Sequence, residues 1–194
     1  TAPNLDNHGP LVGVERLEAG KATPVIRFTL SAPRASATGI PEGTQVRTAD
    51  KRYFKTEKYA EILPGELTVD VVAVADEAGS NSDGIAEGEI NVLVDPIPYV
   101  SGAKSVSAST GGTDTEGDDS FTRRINYAPS IFSVAGPVDA YEYFASSWRS
   151  DVADTKIVCK EGYTIHIYFL MAGGRVPTRE ECTGMQEYFD TVKR

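Results

Sequence analysis

Leu67-Thr68-Val69-Asp70-Val71-Val72-Ala73-Val74-Ala75 is the stretch that decides the fold. Leu67, Val69, Val71, Ala73 and Ala75 alternate onto one face of an extended chain, and Thr68, Asp70, Val72 and Val74 onto the other. Pro64-Gly65 ahead of it is a turn signal, and 78–84 (AGSNSDG) behind it reads as a loop. Working outward, Val25, Ile26, Phe28 and Leu30 make a strand that Pro33 closes. IPEGTQVRT (40–48) turns at Pro41 and Gly43 and then alternates. RYFKTEKYAEI (52–62) carries Tyr53, Phe54, Tyr59 and Ile62, and EINVLVD (89–95) ends at Pro96 and Pro98. Short strands about ten residues apart, with turn signals between them, predict a sandwich or small barrel over 24–100.

The texture changes near residue 110. Residues 101–117 are small, polar and finally acidic, and are expected to form a linker, with Val100, Ala103 and Val106 offering one more strand. Beyond it the apolar spacing becomes helical. Phe121, Ile125 and Ala128 fall on one face before Pro129. Pro137 opens a second helix carrying Tyr141, Phe144, Ala145 and Trp148. Two strands follow, TKIVC (155–159) and TIHIYFLM (164–171), with Gly162 marking their turn. Thr178 and Glu181 form a capping box for a third helix lined by Cys182, Met185, Phe189 and Val192. The expected organisation is α+β: a lead-in segment (1–23), a β-rich domain (24–100), a linker (101–117), and an α+β domain (118–194) with helices on a small sheet. The last domain stops where a further strand is expected, which reads as truncation.

Composition narrows the function. The 194 residues carry 28 acidic and 19 basic side chains, a formal charge of -9. The excess is spread evenly, with 15 acidic against 10 basic residues in 1–110 and 13 against 9 in 111–194. Nucleic-acid coating needs a basic face, so that class is disfavoured. No apolar run is long enough for a membrane-spanning helix. Cys159 and Cys182 are too few for a disulfide framework and read as two buried thiols or a single bridge.

Candidate chemistry is sparse. His166 alternates within a strand and reads as a sheet-face residue. No Cys-x-x-Cys or His-x-x-x-His spacing supplies a zinc site, and no G-x-S-x-G elbow supports a serine nucleophile. STGGTDTEG (109–117) lacks the Gly-Lys-Ser/Thr of a phosphate loop. Asp114, Glu116 and Asp118 match the first positions of a calcium loop, but Asp119 stands where glycine is needed and Ile125 where a bidentate Glu is needed. The acids are better read as favouring and capping a helix N-terminus. Arg123 and Arg124 then lie on a solvated face, or one of them reaches back to the acids. No catalytic, metal or cofactor residue is assigned.

Several segments, taken in order, resemble the phage baseplate J-like family. Ile40-Pro41-Glu42-Gly43-Thr44-Gln45-Val46 with Phe54 and Thr56 is similar to its "I-P-x-G-T-x-V … F-x-T" signature. Ala78-Gly79, Gly84 and Ala86-Glu87-Gly88-Glu89-Ile90-Asn91 are similar to a second segment. Gly111-Gly112-Thr113-Asp114-Thr115-Glu116, with Asp119, Phe121, Arg123-Arg124-Ile125, Pro129, Gly136 and Tyr141, resembles "G-G-x-D-x-E-x-D-x-x-F-R-x-R-I". Asp151 to Val158 resembles the strand start that follows. Asp83 and Thr122 depart from the pattern.

The resemblance implies a structural wedge component of a contractile-tail baseplate, in a phage or a phage-like injection machine. It implies no catalytic centre and no cofactor. The implied partners are other wedge proteins and copies of itself in a six-fold assembly, with no nucleic acid and no membrane. The implied location is the tail baseplate of the virion, assembled in the bacterial cytoplasm. Asp114, Glu116, Asp119, Phe121, Arg123 and Arg124 are the candidate interface or structural residues. The alternative is a carbohydrate-binding or adhesin-like β-sandwich module, with Tyr53, Phe54 and Tyr59 either stacking on sugar or packing in the core.

Overall fold

The computed structural model describes residues 4–132, 137–160 and 164–192. Gly136 and Gly162 lie outside them. The chain divides into two compact units, Ala19–Thr113 and a unit made of Thr1–Glu18 with Asp114–Arg194. The first is therefore inserted within the second.

The inserted unit is a nearly closed six-stranded antiparallel barrel, so of the two architectures expected the barrel is the one found. Its strands are β1 (Val25–Leu30), β3 (Gln45–Thr48), β4 (Tyr53–Thr56), β6 (Thr68–Ala75), β7 (Ile90–Leu93) and β8 (Val100–Ser105). Their order is β7-β3-β4-β6-β1-β8. β2 (Thr38–Ile40) and β5 (Ala60–Ile62) form a separate two-stranded ribbon. From Thr68 on the decisive stretch alternates as expected, with Val71, Ala73 and Ala75 buried, Val69 half-buried, and Thr68, Asp70 and Val72 exposed; Leu67, expected on the inward face, lies ahead of the strand and is exposed. Register aligns the inward set, with Ile26 opposite Val71, Phe28 opposite Val69 and Ala103, Val46 opposite Phe54, and Phe54 opposite Ala75. Ile26, Phe28, Ile40, Val46, Phe54, Ile62 and Ile90 are fully buried in one continuous core. Burying each such side chain favours folding by about 1.5–3 kcal/mol.

Residues 101–113 do not behave as the expected linker. Val100–Ser105 is a sheet strand, Thr23 N–H donates to Thr110 O (2.8 Å), and Gly20 N–H donates to Thr113 O (2.8 Å). The small polar side chains are structural. Ser109 Oγ is buried, accepting from Ile85 N (2.9 Å) and donating to Ser82 O (2.7 Å), while Ser107 Oγ accepts from Val25 N (2.9 Å). Composition resembling a linker here comes from serines that replace missing ladder bonds.

The second unit starts with α1 (Leu5–His8) and a 3-10 turn, Gly9–Val12. After the barrel come α2 (Asp118–Tyr127), α3 (Val138–Trp148), the β-ribbon β9 (Val152–Lys160) and β10 (Thr164–Met171), and α4 (Arg179–Val192). The residues expected as a lead-in, 4–18, belong to this unit. Val14, Phe121 and Ala128 form one core cluster with Leu5, Val12 and Ile125 packed against it. Ala145, Val152, Met171, Met185 and Phe189 form a second, against α3, α4 and one face of the ribbon. The capping box is present: Thr178 N–H donates to Glu181 Oε2 (2.8 Å) and Glu181 N–H donates to Thr178 Oγ1 (3.3 Å). Cys159 and Cys182 are both free and exposed, not buried and not bridged. The helical stripe that placed Cys182 in the core is narrower than the spacing implied, and only Met185 and Phe189 of it are buried.

Candidate functional site

The acidic start of α2 divides into an inward and an outward half. Glu116 is 2% exposed and Arg124, two turns further on, is 4% exposed. Glu116 Oε2 lies 2.5 Å from Arg124 Nη1 and also accepts from Leu17 N (3.1 Å), while Oε1 accepts from Ser120 Oγ (2.9 Å). Arg124 donates further to Ser147 Oγ (3.0 Å) and to the carbonyl of Glu15 (3.1 Å). A buried carboxylate is tolerable only when its charge is matched and its lone pairs are used, and both conditions hold.

Arg16 completes the cluster from the other side of the segment. Its guanidinium contacts Asp6 (2.8 Å) and Asp118 (3.0 Å), donates to the carbonyl of Glu116 (2.7 Å), and lies 4.6 Å over the Phe121 ring. The hydrogen bond to Asp6, followed by that to Asp118, raises its already high pKa against the opposing effect of burial. Phe121 itself is buried, and a Cβ on Gly9 would meet its ring at 2.6 Å, so only glycine fits there.

These contacts correct two expectations. The acids do not cap α2 with their side chains: its N-cap is Gly117, which makes no side-chain cap bond, while Asp118, paired with Arg16, and Asp119 place acidic charge in the first turn. Arg124 is not on a solvated face. It is the arginine that reaches back. Arg123 stays exposed, donating to Ala153 O (2.8 Å) on the edge of β9, with Asp154 3.9 Å away. Beside it Tyr127 hydrogen-bonds to Glu142, which raises the phenol pKa. Asp114 and Asp119 are exposed, and the Asp114 carbonyl accepts from Ser150 Oγ (2.6 Å).

The arrangement is a clamp between residues 15–17 and α2. Glu116 and Arg124 saturate each other, and among the described residues no group of three His, Cys, Asp or Glu is placed to hold a metal. No helix is long and apolar enough to cross a membrane, among the same residues. The aromatic trio in the barrel is split: Phe54 is core, whereas Tyr53 is 37% and Tyr59 58% exposed. Arg16 escaped the sequence reading because Glu116, Asp118 and Phe121 lie about a hundred residues downstream of it, beyond any local pattern, and Asp6 enters only as its partner ten residues upstream.

Comparison with known proteins bears on the barrel first. No curated protein matches the sequence. Among solved structures, the fold is similar to a chain of the anti-feeding prophage baseplate, seen by cryo-EM with six-fold symmetry imposed. The TM-score is 0.53 at 10% identity, over 94% of this chain and 56% of that one. The protein thus spans little more than half the length of that neighbour, and at this identity the likeness is one of fold. Residues 25–112 match the family model described as the Baseplate J-like protein barrel domain. These limits coincide closely with the six-stranded unit that hydrogen bonding and burial define, so residues 25–112, a little under half of the chain, are similar to the barrel domain of Baseplate J-like proteins.

Proposed function

We propose that the protein is a structural component of a contractile-tail baseplate, working by assembly and not by catalysis. The observation that carries this reading is the barrel match over residues 25–112, supported by a fold shared with a phage-like baseplate chain. Within the baseplate it acts as a wedge subunit, joining neighbouring wedge subunits around the hub in a six-fold assembly and relaying the change that triggers sheath contraction. Its place is the tail baseplate of the particle, assembled in the host cytoplasm. The Glu116–Arg124 clamp serves this role by keeping residues 15–17 fixed to α2 while surfaces elsewhere rearrange. A relay needs rigid parts joined at few points.

The test is co-expression of the full chain with the baseplate protein encoded beside it, followed by sizing at micromolar concentration. A stable complex is expected. Two independent species, or a gene neighbourhood without sheath and tube genes, overturns the reading.

A further inference from the structure

Tyr99 occupies a backbone conformation that its side chain disfavours. Ile97-Pro98-Tyr99-Val100 is closed by Val100 N–H donating to Ile97 O (3.1 Å), with proline at the first corner and Tyr99 at φ +71° in the second. A turn with proline first and positive φ second ordinarily takes glycine or asparagine there. A bulky aromatic in this region is strained, and such strain persists where surrounding structure or function holds it.

What Tyr99 carries is a surface. The Arg34 guanidinium lies 3.6 Å over its ring, with Nη1 donating to Thr38 Oγ1 (3.3 Å). Among the described residues no carboxylate lies within 4.0 Å of Arg34, in a chain holding 28 acidic side chains. Backbone bonds gather further apolar groups at the same end of the barrel. Ser31 N–H donates to Tyr99 O (3.0 Å), Leu30 N–H donates to Leu67 O (2.8 Å), and Gly65 N–H donates to Arg34 O (2.9 Å). Tyr99, Leu63 and Leu67 are 58%, 53% and 44% exposed.

We propose that this end of the barrel, centred on Tyr99 and Arg34, is a protein-binding surface. Its occupant is a segment of another baseplate protein that presents a carboxylate beside an aliphatic side chain. The carboxylate takes the unpaired guanidinium, and the aliphatic group covers Leu63, Leu67 and the Tyr99 ring. Tyrosine and arginine are the residue types that dominate interface energetics, and stacking fixes the arginine fork in advance of binding. The proposal rests on the baseplate reading for the identity of the partner.

The experiment measures affinity between the full chain and the baseplate protein encoded beside it, for wild type, Tyr99→Gly, Arg34→Glu and Arg179→Glu. Glycine suits φ +71°, so Tyr99→Gly is expected to melt at or above the wild-type temperature while binding about tenfold or more weakly. Arg34→Glu is expected to weaken binding at least as much, and Arg179→Glu on α4 to leave it unchanged. Wild-type affinity retained in both barrel variants overturns the surface assignment while leaving the baseplate reading intact. No binding by wild type overturns the baseplate reading. A wild-type homodimer dissolved by Tyr99→Gly makes the occupant a second copy and overturns the heterologous partner.

Discussion

Glu116 and Arg124 face each other at 2.5 Å with almost no solvent on either side, one ahead of α2 and the other in its last turn. Their mutual neutralisation makes each dependent on the other. Removing one partner of a buried pair costs about 3–5 kcal/mol, because the remaining charge is stranded. Glu116→Ala and Arg124→Ala are each expected to lose that much in urea unfolding. The double variant Glu116→Leu with Arg124→Met is expected to lose clearly less than the sum. Additive losses would show that the two side chains act separately.

Gly9 is pressed against Phe121. A Cβ there would meet the carbonyl of Val14 and the Phe121 ring together, and the carbonyl has no freedom to move away. Gly9→Ala is expected to destabilise the protein by about 1–3 kcal/mol, as overpacking does. Gly43→Ala meets no atom within 4 Å but sits at φ +77°, so its penalty is conformational only. Thermal melts of the pair separate crowding from backbone strain, and equal losses would contradict the crowding at Gly9.

Glu181 is held well below the usual carboxylate range, from 4.5 down to about 2, chiefly by hydrogen bonds from Arg175 and then by the Thr178 amide. A carboxylate whose folded pKa is depressed contributes stability that is fully present above its unfolded pKa. That contribution is lost as pH falls from about 4.5 through about 2. The difference in melting temperature between wild type and Glu181→Gln is expected to be largest above pH 5 and to shrink through this window. A pH-independent difference would assign the loss to the capping box alone.

Ala19–Thr113 contains the whole barrel core, and its two ends are paired by the Gly20 and Thr113 backbones. A fragment of these residues is expected to fold by itself, giving a cooperative thermal transition and dispersed amide resonances. A non-cooperative melt would show that the barrel depends on the second unit.

Alternation and turn residues made the barrel strands legible, because each strand has one face in the core and one in water. Phe54 and Ala73 obey that rule without help from elsewhere. The α4 capping box was legible for the same reason: its partners are three residues apart. What stayed hidden is non-local. Ser105 and Ser109 read as linker residues, yet both are buried because their hydroxyls meet backbone groups of distant strands and loops. Nothing near Arg16 in sequence announces Asp118 and Phe121 as its partners. The acidic cluster at 114–119 was visible as a cluster, but the inward turn of Glu116 alone was not.

The insertion of one unit within the other also sets an order of events during synthesis. The barrel has all its strands once residue 113 has emerged, whereas Leu5, Val12 and Val14 must wait for Phe121 and Ala128. Contacts this distant in sequence form late and slowly. Leu5, Val12 and Val14 are thus made before the barrel and packed after it. In the interval their apolar side chains lie open to chaperones, proteases and one another while a finished barrel follows them along the chain.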